Sequence, residues 1–254
     1  MKKSRFVITS SIAFVLLVFM IQTAVAGTES LVLYMPLDEG SGDTTKDLSG
    51  NGNDGTIENG KWIDGKINKA LEFTGNGCVD IKHSDSLSLE KDITVMVWVF
   101  MSASASGELA IVSKGTWAAN DLPYELTVTP NANIYWQFYD NAGRDTCSPP
   151  SPPVAEWHHI AATYDGSTFA CYIDGAMAME TNYNGELPQN TANVTIGKRS
   201  KAAECYFSGA IDEVAIFSTA LSEEEVKNLM EGIKLAVVDA KGKLPMLWGT
   251  IKSK

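Results

Sequence analysis

From residue 31 onward the chain is a succession of short apolar runs separated by Gly, Pro, Asn and Asp turns. The runs fall at residues 31–37, 70–73, 78–81, 93–100, 108–113, 124–128, 134–139, 158–164, 169–173, 193–196 and 210–217. Many short strands with turn chemistry between them predict an all-β chain folded as a two-sheet antiparallel jelly-roll sandwich. In Ile93-Thr94-Val95-Met96-Val97-Trp98-Val99-Phe100 both parities are apolar, which predicts a central strand with neither face exposed. Ile134, Trp136 and Phe138 alternate with Tyr135, Gln137 and Tyr139, which predicts one buried face and one partly wet face.

One helix stands out. Ser222 precedes Glu223-Glu224-Glu225, so its hydroxyl can cap the first turn while Glu225 closes a capping box. Val226, Leu229, Met230 and Ile233 form one apolar stripe, and Gly232 ends the helix. Beyond it, residues 235–238 and 244–251 flank a polar turn and predict a terminal hairpin with Pro245 on an edge strand.

The amino terminus reads as a targeting segment. Lys2, Lys3 and Arg5 precede an apolar stretch from Phe6 to Ile21, and Ala24-Val25-Ala26 supplies a small-residue exit. This predicts cleavage after Ala26 and a secreted or periplasmic protein; a retained membrane anchor is the alternative. The expected division is a signal peptide over 1–26, one domain over 27–232 and a tail over 233–254.

Composition narrows the function classes. The 254 residues carry 20 Lys plus Arg against 31 Asp plus Glu, a net charge of −11, which argues against nucleic acid as a partner. Removing residues 1–26 takes away three cations and no acid, so the remainder is more acidic still. No later stretch is long and apolar enough to cross a bilayer, and a monomer is expected. Four cysteines, Cys78, Cys147, Cys171 and Cys205, allow three disulfide connectivities in an exported chain; Cys147–Cys171 with Cys78–Cys205 is the preferred one.

Several motifs, in order, carry a resemblance. They are Leu37-Asp38-Glu39-Gly40-Ser41-Gly42, then Asp47-Leu48-Ser49-Gly50-Asn51-Gly52-Asn53-Asp54-Gly55, and Ala70-Leu71-Glu72-Phe73-Thr74-Gly75. After Val112-Ser113-Lys114-Gly115 come the Trp157–Gly166 stretch, Tyr172-Ile173-Asp174-Gly175, and Gly209–Phe217 ahead of Ala220-Leu221-Ser222. Together they resemble the laminin G-like jelly roll of the concanavalin A-like lectin/glucanase superfamily, in its bacterial exported form, over residues 31 to about 232. Fold does not dictate function here, because this architecture hosts many activities.

The resemblance implies a structural calcium ion, with Asp38, Asp47, Asn53 and Asp212 as candidate ligands in an oxygen-rich setting suited to a hard cation. It also implies that the acidic end of the opening strand lies near Asp212-Glu213. The alternative is that these residues form turns and that Asp212 is a hydrogen-bonded core acid. The alternating acids of retaining glucanases are missing, and adjacent pairs such as Asp212-Glu213 are expected on opposite sheet faces, so no catalytic residue is assigned. His158 and His159 are read as structural. No Gly-x-Ser-x-Gly elbow or phosphate loop is present.

A binding role has more to work with. Trp117, Tyr135, Gln137, Tyr139, Asp140 and Arg144 are placed to line one sheet face with aromatic rings and a few polar groups, as sugar recognition requires. The alternative is that these aromatics merely cover the sheet. The expectation is therefore a non-catalytic, exported binding module for a glycan or a glycosylated surface. A cell-envelope structural or protein-interaction module comes next, and a glycoside hydrolase third.

Overall fold

The computed structural model describes residues 30–102, 107–130, 132–183, 185–200 and 205–234. The expected signal peptide and terminal hairpin lie outside the described residues. Sixteen strands are present among them: β1 (Leu31–Met35), β2 (Thr44–Thr45), β3 (Gly55–Glu58), β4 (Lys61–Asp64), β5 (Lys69–Thr74), β6 (Cys78–Ile81), β7 (Ile93–Met101) and β8 (Leu109–Lys114). Then come β9 (Leu122–Val128), β10 (Ile134–Tyr139), β11 (Arg144–Cys147), β12 (Trp157–Tyr164), β13 (Thr168–Ile173), β14 (Ala176–Asn182), β15 (Val194–Ile196) and β16 (Ser208–Phe217), before helix α1 (Glu223–Leu229). They build two antiparallel sheets. The first runs β14-β13-β12-β7-β16-β5-β4, with β1 also paired to β16, and the second runs β11-β10-β9-β8-β15-β6-β3-β2.

Every apolar run predicted between residues 31 and 217 contains a strand. Strand β7 takes the central place its double-sided apolar pattern requires, between β12 and β16. Its Val95, Val97 and Val99 face the second sheet and join the core with Trp136, Leu126, Phe138 and Ile196. Trp136 is fully buried there, and its indole N–H donates to the Thr163 carbonyl of the other sheet at 3.0 Å. The outer side of β7 is covered as well, since Met96 packs with Tyr172, Phe217, Leu221 and Val226 beneath α1.

Helix α1 forms as its sequence predicts. The Ser222 hydroxyl accepts from the Glu225 N–H, and the Glu225 carboxylate accepts from the Ser222 N–H at 2.8 Å. Val226 is fully buried on the sheet, worth roughly 2 kcal/mol for a side chain of that size. The last turn is tied down by the Trp98 indole N–H, which donates to the Met230 carbonyl at 2.8 Å.

One expectation about faces fails. Strand β16 carries a bulge between Asp212 and Ala215, with Glu213 at φ 52°. The extra residue breaks the alternation, and the Tyr34 hydroxyl donates to the Glu213 carboxylate at 2.7 Å on the side where α1 packs. Asp212 and Glu213 therefore share a neighbourhood instead of facing apart. Gly209, three residues before Asp212, is needed where it stands, because a Cβ there would lie 2.0 Å from the Phe100 carbonyl oxygen.

Candidate functional site

The register of the second sheet sorts its residues by chemistry. Cys147, Trp136, Leu126, Val112, Ile196, Val79 and Ile57 stand side by side on successive strands, all buried between the sheets. One position away, on the opposite face, the row reads Thr146, Gln137, Glu125, Ser113, Thr195, Asp80, Thr56 and Thr44. Every member of this outer row is polar. A row of that kind crossing a whole sheet makes a hydrogen-bonding floor.

At the centre of the floor Glu125, with no exposed surface, accepts from three side chains. Gln137 Nε2 donates to Oε1 at 2.7 Å, Ser113 Oγ donates to Oε2 at 2.9 Å, and Arg199 spans both oxygens at 2.9 and 2.8 Å. Arg199 Nη2 also donates to Glu108 at 2.8 Å, and Nη1 to the Cys205 sulfur at 3.2 Å. Burial works to lower the Arg199 pKa, but the Glu125 and Glu108 carboxylates outweigh it and hold the guanidinium charged. Ser200 N–H donates to Ser113 Oγ at 3.3 Å, so the segment after β15 lies over this part of the floor.

The aromatic residues sit at the edge of that network. Trp117, in the loop after β8, is 48% exposed. The Arg144 guanidinium carbon is 5.0 Å from the centroid of the Trp117 ring and 5.1 Å from that of Tyr135, and Arg199 is 5.3 Å from Trp117. Arg144 Nε donates to Gln137 Oε1 at 2.6 Å, which links this exposed arginine to Glu125 through one amide.

Four of the six expected binding residues, Trp117, Tyr135, Gln137 and Arg144, are thus in direct contact. Tyr139 lies opposite Arg144 in the β10–β11 register and is half-buried. Asp140 does not join them. Its Oδ1 accepts from the Ala142 and Gly143 N–H groups in the hairpin turn, and its Oδ2 accepts from the Tyr183 hydroxyl at 2.6 Å. Asp140 is a turn-forming acid because short carboxylates satisfy free N–H groups two and three residues on.

Sequence reasoning missed Arg199, Glu125 and Glu108. Glu125 could have been found, since it sits out of phase with the buried Tyr124, Leu126 and Val128 on the same face as Thr127. On the other sheet a cleft of about 410 Å³ was also missed, with Ala210 as floor between Phe100 and Trp157 on one side and Ile63 and Glu72 on the other.

The candidate calcium ligands fall into two groups. Asp47 Oδ1 accepts from Tyr34 N–H at 3.0 Å and Ser49 N–H at 2.9 Å, and its Oδ2 accepts from Asn53 N–H at 2.9 Å and the Ser49 hydroxyl at 2.8 Å. Asn53 Oδ1 accepts from the Ser84 hydroxyl at 2.6 Å. Asp38 instead accepts from Asn68 and from Lys69 N–H, and its charge is felt by Asp212 and Glu213. Asp212 Oδ2 accepts from Ile67 N–H at 2.9 Å, while its Oδ1 is buried with no well-aligned hydrogen-bond partner among the described residues. Burial, with the nearby acids adding to it, pushes the Asp212 pKa up to about 7. Among the described residues no three His, Cys, Asp or Glu side chains gather into a metal-holding group.

All four cysteines are thiols in this structure. Cys147 and Cys171 are hydrogen-bond partners across the two sheets, and the Cys147 thiol together with burial raises the pKa of Cys171. Cys78 and Cys205 have other partners, the Glu58 carboxylate for the first and Arg199 for the second. Burial pushes the Cys78 thiol up to about 11.

Two packed antiparallel sheets in this order, with a polar outer row and an exposed aromatic beside it, define a lectin-like jelly roll. The concanavalin A-like lectin/glucanases superfamily, in a laminin G-type model, matches residues 73–227, and the chain belongs to that family. No curated protein matches it. Among solved structures it is similar to the binding domain of Paraclostridial Mosquitocidal Protein 1, with 18% identity over 80% of this chain and 52% of that one, at a TM-score of 0.63. It is similar to domain 4 of AbnA, a GH43 extracellular arabinanase from Geobacillus stearothermophilus solved with arabinotriose, at 19% identity, 79% and 98% coverage and a TM-score of 0.63. A third is the botulinum neurotoxin serotype D ligand binding domain in complex with N-acetylneuraminic acid, at 14% identity, 81% and 51% coverage and a TM-score of 0.62. The chain spans about half the length of the two toxin structures. No helix among the described residues is long and apolar enough to cross a membrane.

Proposed function

We propose that this protein is an exported, non-catalytic module that binds carbohydrate on the outer face of its second sheet, around Trp117, Tyr135, Gln137 and Arg144. The observation that carries the reading is Trp117, a large aromatic left 48% exposed beside a floor of polar side chains already fixed by one another. A rigid polar floor with an exposed ring costs little ordering when a sugar docks. The arabinanase domain and the toxin domain named above, both solved with sugars, lend the same reading support by likeness of fold. The test is a glycan array probed with the wild-type protein and with Trp117→Ala. Binding that disappears in the variant at an unchanged melting temperature supports the site; equal binding by both moves it elsewhere.

A protein-interaction role is favoured by a separate observation. Strand β14 is an edge of the first sheet, and Met177 and Met179 on it are 45% and 36% exposed. Strand addition at such an edge is a common mode of peptide recognition. Saturating glycan binding with β14 mutated and unaffected would assign the two roles to different faces.

A further inference from the structure

Resting on that glycan reading, we infer that the ligand is an acidic one: a glycan presenting an isolated carboxylate, recognised by the Arg144 guanidinium. The Arg144 guanidinium lies over the Tyr135 ring, and both Arg144 and Arg199 lie against Trp117, which is still 48% exposed, so cations are held at the place where an aromatic surface is offered to a sugar. Stacked guanidinium groups keep their N–H edges free, because the cation–π contact uses the face of the plane.

The edges of the two arginines are in opposite states. Arg199 is buried, and four of its five N–H donors are spent on Glu125, Glu108 and Cys205. Arg144 is exposed, and only its Nε is spoken for, by Gln137 Oε1 at 2.6 Å. Its two Nη groups have no protein hydrogen-bond partner among the described residues. Gln137 is itself held by Glu125, and Glu125 by Arg199, so the fork is oriented by a chain of buried, mutually satisfied groups. A planar donor pair, fixed in place and pointing to solvent, matches a carboxylate in two-point geometry.

The net charge of −11 limits the ligand further. A densely charged polyanion is repelled by the rest of the surface, whereas one carboxylate on an otherwise neutral sugar chain needs only the local cation. The recognised unit is therefore a single uronic or other carboxylate-bearing sugar in a neutral context.

The experiment uses the purified full chain and oligosaccharides carrying one galacturonate or glucuronate residue, each paired with its carboxyl-reduced counterpart. Reduction leaves every ring hydroxyl and turns the carboxylate into a neutral hydroxymethyl group. Binding by calorimetry is expected to be on the order of tenfold or more tighter for the acidic member, to weaken with salt, and to lose that preference in Arg144→Gln. Arg144→Lys keeps the charge without the fork and is expected to recover only part of the preference. Arg144 is exposed but donates to the buried Gln137 Oε1, so both variants are compared with the wild type at temperatures well below their own melting points. Equal affinity for the acidic and reduced members overturns the carboxylate assignment while leaving the glycan reading intact. Absence of binding to both, on folded protein, overturns the glycan reading itself and this inference with it. A preference that survives in Arg144→Gln overturns the role given to that arginine.

Discussion

Arg199 and Glu125, 74 positions apart, meet in a two-point ion pair under the segment that follows β15, with Nε to Oε2 at 2.8 Å and Nη2 to Oε1 at 2.9 Å. Both residues are buried, at 3% and 0% exposure, so water cannot replace either partner. Removing one partner of a buried pair strands the other, and the usual loss is about 3–5 kcal/mol. Glu125→Leu is expected to fall at the lower end of that range, because Glu108 still holds Nη2. Glu125→Leu combined with Arg199→Met is expected to recover much of the loss, since two apolar side chains of similar volume need no compensation. Urea denaturation of the two single variants and the double variant measures this. Strictly additive losses would show that the pair is not coupled.

How much of this was readable beforehand depends on which forces place each residue. The strands of the core were legible because burial on one face imposes a period of two on apolar positions, as in β9 and β10, and burial on both faces makes a continuous apolar run, as in β7. Strand β14 was not, because nearly all its residues are exposed and nothing selects apolar ones. Strand β11 was hidden for a related reason, since Arg144-Asp145-Thr146 reads as loop and only Cys147 is fully buried. Of the candidate site, the strand positions Tyr135 and Gln137 followed from alternation, and Trp117 from being an aromatic with no core role. Arg199 could not be placed, as its partners lie on three other segments and only tertiary register joins them. Asp140 was misplaced because a turn acid and a site acid look alike in one dimension. The Asp212-Glu213 bulge is similarly a property of pairing, which the local sequence does not announce.

Asp47 ties the opening strand to the loop that follows it. Its carboxylate takes four hydrogen bonds, from Tyr34 N–H, Ser49 N–H, Asn53 N–H and the Ser49 hydroxyl. Asp47→Ala leaves those N–H groups without their acceptor, at about 1–3 kcal/mol for each one that stays buried. A total loss of about 3 kcal/mol is expected, equal in calcium and in chelator, because the donors that fill both oxygens are protein groups. Thermal melts of wild type and variant in both buffers decide it. A wild-type melting temperature that rises with calcium while the variant's does not would make Asp47 an ion ligand after all.

Cys147 and Cys171 place their thiols in contact from β11 of one sheet and β13 of the other. Oxidation is expected to join them into an inter-sheet disulfide, closing a loop of about 25 residues and stabilising the fold by about 3 kcal/mol in the chain-entropy account. Peptide mapping without reduction should recover the linked pair. Cys78 and Cys205, engaged with Glu58 and Arg199 respectively, are expected to remain open to alkylation after unfolding. A Cys78–Cys205 bridge recovered in the same map would contradict this assignment.

His159 gives the fold a dependence on acid. It is 1% exposed, its ring stands at 64° to Trp98 with centroids 5.4 Å apart, and its Nδ1 has no hydrogen-bond partner among the described residues. Burial lowers its pKa from 6.5 to about 4, and the charge of Asp174 only partly opposes this. Above pH 6.5 the imidazole is neutral in the folded and unfolded chains alike, so it has no effect on stability. Between 6.5 and 4 the unfolded chain takes up a proton that the folded one refuses, and stability falls as the pH falls. The full loss is about 3 kcal/mol, reached near pH 4 and constant below it. Other groups titrate in the same range, so the effect is read as a difference from His159→Phe, which keeps a ring against Trp98 and cannot take up a proton. In chemical denaturation from pH 8 to 4, the wild type is expected to lose stability relative to the variant below pH 6.5 and to hold a constant offset above it. An offset that stays constant over the whole range would mean that the folded state protonates His159 as readily as the unfolded chain does.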